Sequence, residues 1–321
     1  MTTTAAPCTG QEDPGAHLAA RRLAMTPWDN FIGPVGHLAA ERERLDALVW
    51  QYFDVRRLGA TIGAEITGVD LTTDLPDPVV VELRRALLDY KVLFFRGQPF
   101  TPEGQVRFAR RFGELEVHPF IPANTGQPEL VRFEKSGDVA GYENSWHHDV
   151  TWRERPSFGA VLHAVRVPSA GGDTLFSDMY AAYEGLDDET RAAVDGARAE
   201  HDFMRSFGAT LDDERRAEMR AAYPLVSHPV VATHAETGRR HLYVNRAFTT
   251  RIEGVEPERS HELLALLTRQ AETLEYQCRW HWEDDSVAFW DNRAVQHYAC
   301  SDYWPAPRIM ERASIVGGVP A

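Results

Sequence analysis

The order of the predicted strands and helices constrains the fold of this chain more than any other feature. The runs 91–95, 228–234 and 287–290 are predicted strands, because they are short, rich in β-branched or aromatic residues and bounded by turns. Apolar residues at helical spacing predict a helix over 78–90, directly before the first run, and another over 257–273, between the second and the third. Strands that lie far apart in sequence and bracket helices favour a mainly β (α+β) fold. A β-sandwich or jelly roll with helical insertions fits this order better than a doubly wound sheet.

Smaller signals refine this order. Thr101 followed by Pro102 predicts the start of a helix that Gly113 closes. The turn at 236–238, between the run 228–234 and the run 241–245, predicts a hairpin. Strands are also predicted over 275–282.

The N-terminal residues differ in composition from the rest of the chain. Residues 1 to about 20 are rich in Thr, Ala, Gly and Pro, which is typical of a flexible tail, and a helix is predicted around 37–51. We therefore expect an N-terminal extension over residues 1–50 that is partly flexible and contains one helix. A single domain is expected over residues 51–321.

Charge and cysteine content exclude several classes of protein. The 321 residues carry a formal net charge of −14 without a prominent basic run, so non-specific binding to nucleic acid is not expected. The three cysteines have no paired spacing, which argues against a disulfide framework or a cysteine-based zinc site. No apolar run is long enough for a membrane span, and the N-terminus lacks signal-peptide features. We expect a cytoplasmic protein with neither a nucleic-acid nor a membrane partner.

The segment Trp146–Val150 contains a candidate metal-binding triplet. In an extended strand, residues i and i+2 point to the same face, so His147 and Asp149 can share one metal ion while His148 points away. His297, far downstream, is the proposed third ligand. Two imidazoles and one carboxylate, with other coordination positions open, form the ligand set of non-haem Fe(II) oxygenases.

This triplet is not specific by itself. The chain has 13 histidines, and His281, Trp282 and Glu283 repeat the same spacing in another strand-like run. A zinc hydrolase could also use two histidines and an aspartate, and a jelly-roll protein that only binds ligands could keep the same fold. His118, His228, His234 and His241 are, by themselves, better interpreted as packed or hydrogen-bonded histidines than as metal ligands.

Several motifs in the same order resemble the taurine dioxygenase family of Fe(II)- and 2-oxoglutarate-dependent enzymes. The similarity extends from about Val55 to Gly317, and the motifs that carry it are 144–151, 168–175, 290–299 and 308–313. The resemblance implies a double-stranded β-helix (cupin-like jelly roll) that uses Fe(II), 2-oxoglutarate and O₂. It also implies that His147, Asp149 and His297 bind Fe(II).

The same resemblance assigns the cosubstrate residues. It implies that Arg308 and Thr174 hold the distal carboxylate of 2-oxoglutarate. The fork of an arginine can make two charge-assisted bonds to one carboxylate. Without the family pattern, Arg308 would be interpreted as a surface arginine paired with Glu311 or Asp302.

The substrate residues follow from the resemblance less completely. His118 and Arg312 match positions that bind the sulfonate of the substrate, and Phe207 and Phe248 match pocket phenylalanines. Ile121 replaces a tyrosine of the taurine enzymes, and Glu143 stands where they have an asparagine that faces the substrate amine. Glu143 is therefore a candidate substrate contact that changes the amine end of the pocket.

These residues lead to a functional hypothesis. We expect hydroxylation of a small anionic substrate, first a sulfonate such as taurine or a relative, with release of an aldehyde and sulfite beside succinate and CO₂. An alkyl sulfate, a carboxylate or a phosphonate is an alternative. Members of this family often form dimers or tetramers, so a homodimer or homotetramer is compatible with the resemblance.

Overall fold

The computed structural model describes residues 35–118, 126–136 and 144–321. The α-helices are α1 (Ala39–Asp46), α2 (Asp77–Tyr90), α3 (Pro102–Arg110), α4 (Met179–Glu184), α5 (Asp188–Val194), α6 (Met204–Phe207), α7 (Asp213–Ala222) and α8 (Pro257–Arg269). Short 3₁₀ helices span Gly36–Leu38, Gly208–Thr210, Gln270–Glu272 and Leu274–Tyr276. The strands are β1 (Asp54–Arg57), β2 (Ala64–Thr67), β3 (Val92–Phe95), β4 (Leu130–Lys135), β5 (Ser157–Arg166), β6 (Thr174–Asp178), β7 (Arg198–His201), β8 (Val226–Pro229), β9 (Val231–Thr233), β10 (Arg240–Leu242), β11 (Thr249–Ile252), β12 (Gln277–Trp280), β13 (Val287–Asp291), β14 (Val295–Ala299) and β15 (Arg308–Val316).

Two sheets form the centre of the molecule. The larger has seven strands in the order β1-β2-β3-β13-β5-β15-β4, and the smaller has the order β12-β6-β14. Neighbouring strands in both sheets are antiparallel, except for the parallel pair of β2 and β3. The strands β11-β7-β8 and the hairpin β9-β10 form two further small sheets. This arrangement confirms the expected jelly roll with helical insertions.

The alternation of side chains along the strands explains why the larger sheet is buried on both faces. On β3, Val92 and Phe94 belong to the core that the two sheets share, whereas Leu93 and Phe95 pack with the helices α2 and α3. The rings of Phe94 and Trp280 stack between the sheets with their centroids 4.4 Å apart. A strand with two buried faces requires a continuous apolar run, which is what residues 92–95 provide.

Most predicted helices agree with the structure. Helix α2 spans Asp77–Tyr90 and ends at Lys91, which takes a left-handed conformation with φ 65°. Helix α3 begins after Thr101, whose hydroxyl accepts a hydrogen bond from the backbone N–H of Gly104 at 3.1 Å. Helix α8 confirms the predicted helix after Pro257, although its last residues form a 3₁₀ turn.

Two predicted elements differ from the structure. The predicted helix over 37–51 is shorter, because a 3₁₀ turn over Gly36–Leu38 leads into α1 and the helix ends at Asp46. The predicted hairpin exists as β9 and β10, but the run 228–234 is divided. Its first residues belong to β8, which pairs with β7. One continuous strand was therefore the wrong interpretation, because two different partners bind its two halves.

Helix α1 is attached to the core by charge as well as by apolar contacts. The carboxylate of Glu41 accepts hydrogen bonds from the buried Lys91 at 2.9 Å and from Arg239 at 2.7 Å. Leu45 is buried in the core beside α2. The division of the chain at residue 50 stays a prediction. In the described part of the chain, no helix has the length and apolar character needed to cross a membrane.

Candidate metal and cosubstrate site

Three potential metal ligands meet at the edge of the smaller sheet. His147 and His297, on β14, form an isolated antiparallel bridge whose two backbone hydrogen bonds measure 3.2 and 2.9 Å. One oxygen of Asp149 lies 3.8 Å from Nε2 of His147 and 3.9 Å from Nε2 of His297. One ligand atom from each residue therefore lies within 4.8 Å of the other two.

The backbone around Asp149 differs from the predicted strand. His147 is extended, but Asp149 and Val150 form a turn, and Val150 has a φ of 48°. The side chain of Asn292 causes this difference: its Oδ1 accepts from the backbone N–H of Asp149 at 2.7 Å, and its Nδ2 donates to the carbonyl of Asp149 at 3.1 Å. The expected extended strand through His147 and Asp149 was thus wrong beyond His147. The predicted orientation of His148 is confirmed, since its buried ring packs against Tyr243.

Hydrogen bonding and burial leave these side chains in protonation states that can bind a metal ion. Nδ1 of His147 lies 2.7 Å from the carbonyl oxygen of Ser145, which can only accept, so Nδ1 carries the proton and Nε2 keeps its lone pair. Burial lowers the pKa of His297 to about 3, so this imidazole is neutral at pH 7. Burial acts to raise the pKa of Asp149, but Arg312 and the nearby imidazoles outweigh it and lower the pKa to about 2.

The three residues fit a metal ion. Two ligand atoms at roughly 2.1 Å from one ion can be at most about 4.2 Å apart, and both distances from Asp149 to the histidines are shorter. The second oxygen of Asp149 is buried and has no hydrogen-bond partner among the described residues. The competing triplet does not form such a cluster, because His281 is half-exposed and its Nδ1 pairs with Asp173 at 2.8 Å.

A cavity that is partly open to solvent lies between the two sheets beside this cluster. Residues of both sheets line it: Phe133, Lys135, His147, Leu162, Thr174, Phe176, Trp290, His297, Ala299, Arg308, Met310 and Arg312. Arg308 and Arg312 share one face of β15, as their i, i+4 spacing predicts. Arg308 is only 8% exposed, so the interpretation as a surface arginine is wrong.

Both predicted cosubstrate residues line the cavity. Thr174 and Arg308 lie on its two walls, and the indole N–H of Trp282 donates to the hydroxyl oxygen of Thr174 at 3.0 Å. Gly172 has a φ of +73°, and a Cβ there would lie 3.3 Å from Cδ of Arg308. A side chain at this position would therefore strain the backbone and shift the side chain of Arg308 by a few tenths of an ångström.

The predicted substrate residues Arg312 and His118 lie near Asp149. Arg312 donates to Asp149 at 2.9 Å. Burial first, then the charges of Arg312 and Arg153, lower the pKa of His118 to about 3. At pH 7 the imidazole of His118 is therefore uncharged, and it can contribute a hydrogen bond but no positive charge.

Two phenylalanines form the apolar side of this region. Phe207 and Phe248 stack with centroids 6.1 Å apart, and Phe248 lies 6.5 Å from the ring of His147. Both pack in an apolar cluster with Trp152 and Phe203. In the described part of the chain they are not among the residues that line the cavity. Glu143 and Ile121 lie outside the described residues.

Several residues of this region were absent from the sequence-based set. Asn292 lies in a run that resembles the family, so its motif could have identified it. Lys135, Arg153 and Trp282 carry no such signal. Lys135 enters the cavity through its pairing with β15, and Arg153 forms an ion pair with Glu116 at 3.3 Å.

A jelly roll that carries two histidines and one aspartate on an inner wall defines the class of non-haem iron oxygenases. The chain belongs to the "Taurine catabolism dioxygenase TauD, TfdA family", whose model matches residues 54–314. It is therefore a dioxygenase of the family that depends on Fe(II), 2-oxoglutarate and O₂.

Individual relatives agree with this assignment. The chain is 37% identical over 276 residues to an alpha-ketoglutarate-dependent sulfate ester dioxygenase of Pseudomonas putida, covering 83% of this chain and 90% of the relative. It is 32% identical over 277 residues to an alkylsulfatase of Acinetobacter baylyi, covering 84% and 86% of the two chains. A crystal structure of a taurine dioxygenase from Burkholderia xenovorans is similar, with a TM-score of 0.74 and 38% identity. That match covers 84% of this chain and 91% of the other.

Proposed function

We propose that His147, Asp149 and His297 hold Fe(II), and that this enzyme hydroxylates a small alkyl sulfate or alkyl sulfonate. The observation that carries the proposal is the cluster of three ligand atoms within 4.8 Å, beside a cavity lined by Arg308 and Thr174. When bound, Fe(II) and 2-oxoglutarate supply the oxidising chemistry with O₂, while 2-oxoglutarate is converted to succinate and CO₂. The protein provides binding, orientation and exclusion of water.

Arg308 and Thr174 bind the distal carboxylate of 2-oxoglutarate in this proposal. The guanidinium of Arg308 is buried between the sheets, where a charge-assisted bond to a carboxylate is stronger than at the surface. Trp282 fixes the hydroxyl oxygen of Thr174, so the hydroxyl proton is free to point to a ligand. The two groups would thereby orient the keto acid toward the three metal ligands.

Arg312 supplies the positive charge for the anionic head group of the substrate, and the neutral His118 adds a hydrogen bond. Arg312 now contacts Asp149, so a bound anion would share this guanidinium with the carboxylate. The apolar cluster around Phe207 and Phe248 supports an alkyl chain beside His147 better than the ammonium group of taurine. Glu143 remains a proposed contact at the far end of the substrate.

Substrates with either head group yield an aldehyde, and they differ in the sulfur anion that they release. Hydroxylation of the carbon next to sulfur in a sulfonate leads to an aldehyde and sulfite. Hydroxylation of the carbon next to the ester oxygen of an alkyl sulfate leads to an aldehyde and inorganic sulfate. The similarity to a sulfate ester dioxygenase and to an alkylsulfatase supports the sulfate ester, and the similarity to a taurine dioxygenase supports the sulfonate.

The test is a substrate panel with the Fe(II)-loaded enzyme, 2-oxoglutarate and air. The panel contains hexyl sulfate, hexanesulfonate, taurine and hexanoate, and the readouts are succinate, sulfate and sulfite. We expect hexyl sulfate or hexanesulfonate to stimulate succinate formation with an equal amount of sulfate or sulfite. Stimulation by hexanoate alone would contradict the anionic sulfur substrate. A cytoplasmic location, the lack of nucleic-acid and membrane partners and a homo-oligomeric state stay predictions.

A further inference from the structure

We propose that Lys135 is a second cationic contact for the distal carboxylate of 2-oxoglutarate, beside Arg308. This inference rests on the proposed function, because it assigns a further residue to the same cosubstrate site. It makes Lys135 a residue that determines the preference for a keto acid with two carboxylates.

The register of the larger sheet brings Lys135 next to Arg308. Lys135, the last residue of β4, pairs directly with Arg308, the first residue of β15. Side chains that are directly opposite on antiparallel strands share one face, with their Cβ atoms roughly 5 Å apart. Phe133 and Met310 form the next pair on this face, and all four side chains line the cavity. The two cations therefore enter the same end of the cavity from neighbouring strands.

Lys135 and Arg308 are both buried cations. Lys135 is 9% exposed and Arg308 is 8% exposed, so both charges are largely removed from water. Like charges that are directly opposite on a sheet repel each other, and a bound anion between the two side chains would be attracted to both. A carboxylate has two oxygens with about four lone-pair sites. One carboxylate can therefore accept hydrogen bonds from the fork of Arg308, the hydroxyl of Thr174 and one ammonium group at the same time.

Lysine is rare in this chain, and both lysines are buried. The sequence contains only two lysines among its 34 basic residues, and neither is on the surface. Lys91 is held inside the protein by Glu41 and Asp178, at 2.9 and 3.3 Å. Lys135 lines the cavity. An ammonium group is a compact point charge on a flexible stem, which suits a narrow space beside a guanidinium better than a second planar fork.

The experiment measures the binding of keto acids to the full-length, Fe(II)-loaded protein by anaerobic calorimetry. Two ligands are compared: 2-oxoglutarate, and 2-oxopentanoate, which has a methyl group in place of the distal carboxylate. The variants are Lys135→Met, Lys135→Gln and Lys135→Arg. Arg110→Gln is the control, because it removes one exposed cation that pairs with Glu129 at the surface.

We expect Lys135→Met and Lys135→Gln to raise the dissociation constant of 2-oxoglutarate about tenfold, the effect of losing one charged contact. The dissociation constant of 2-oxopentanoate should change less than about twofold. Lys135→Arg keeps the charge but not the compact shape, so it should lose less affinity for 2-oxoglutarate than the two neutral variants. Arg110→Gln should match the wild type for both ligands. Lys135→Gln decides the outcome if Lys135→Met does not fold.

Two results would overturn the inference while leaving the proposed function intact. In the first, the neutral variants bind 2-oxoglutarate as the wild type does. In the second, they lose affinity for both keto acids equally, which indicates a structural role for Lys135. Failure of the wild type to bind 2-oxoglutarate would instead overturn the proposed function, and this inference with it.

Discussion

Asn292 fixes the backbone from which Asp149 reaches the metal site. Its buried side chain makes three hydrogen bonds to backbone groups, two with Asp149 and one with the carbonyl of Ser157. Val150 and Thr151 have strand propensity, but these contacts impose a turn after His147. A tertiary contact therefore determines the conformation of the carboxylate ligand, which local sequence alone could not predict.

We predict that Asn292→Ala weakens the binding of Fe(II) by roughly ten- to a hundredfold, as loss of a residue that orients a ligand commonly does. The free energy of unfolding should fall by about 2 kcal/mol, because buried backbone groups of Asp149 lose their partners. Anaerobic competition with a chromophoric chelator measures the affinity. Gln98→Ala is the matched control, since its amide also bonds three backbone groups, those of Leu71, Val69 and Arg96, away from the site. Equal loss of Fe(II) affinity in both variants would count against a specific role for Asn292.

At the scale of elements, helix α1 is held in place by a partly buried cluster of charges around Glu41. Glu41 contacts Lys91, Arg239 and Arg44 at 2.7 to 2.9 Å. Burial acts to raise the pKa of Glu41, but these three cations outweigh it and lower the pKa well below its usual value. The carboxylate is thus ionised at pH 7 and links α1 to β3 and to the residues before β10.

Glu41→Gln should lower the free energy of unfolding by about 2 kcal/mol, because it leaves Lys91 with less negative charge inside the protein. Asp178 still pairs with Lys91, which limits the loss. Denaturant unfolding measures the change, and Glu43→Gln on the exposed face of the same helix is the control. A loss of the same size in both variants would mean that helix propensity, and not the charge cluster around Glu41, is responsible.

The elements also show what the sequence could and could not predict. Helix α2 has a clear apolar stripe of Leu83, Leu87 and Tyr90, and its periodicity predicted it to within one residue. His147, Asp149 and His297 could be selected only because they lie in several ordered motifs that together resemble the family, since the triplet spacing alone also occurs at 281–283. Lys135 could not, since its place in the cavity depends on pairing with β15, and register between distant strands is not encoded by local periodicity.

At the scale of the whole molecule, neutral histidines are buried in the interior away from the metal ligands. His201 and His241 are both buried, and burial lowers the pKa of both, to about 3 for His241. Below pH 6.5 the unfolded chain therefore binds protons that the folded protein does not. Their contribution to stability is complete above about pH 7 and is lost as the pH falls toward the pKa of the folded state.

We predict that the metal-free protein loses about 2 kcal/mol of unfolding free energy between pH 7 and pH 5 for each of these two histidines. The variant His201→Gln should be less stable at pH 7. Its stability should also depend less on pH, because unfolding below pH 6.5 takes up about one proton fewer than in the wild type. Denaturant unfolding at pH 5, 6 and 7 measures this slope, with the exposed His261→Gln as the control. An unchanged slope in His201→Gln would contradict the assignment of a buried neutral imidazole.

The most direct test of the iron site is an anaerobic titration of Fe(II) and 2-oxoglutarate, followed by the charge-transfer absorption of the chelated keto acid. We expect the wild type to develop this band with one Fe(II) per chain, and Asp149→Ala to show little or none at the same concentrations. Arg308→Ala should need at least about tenfold more 2-oxoglutarate, because it loses a charged contact to the distal carboxylate. A band of wild-type intensity and affinity in Asp149→Ala would contradict the proposed metal centre.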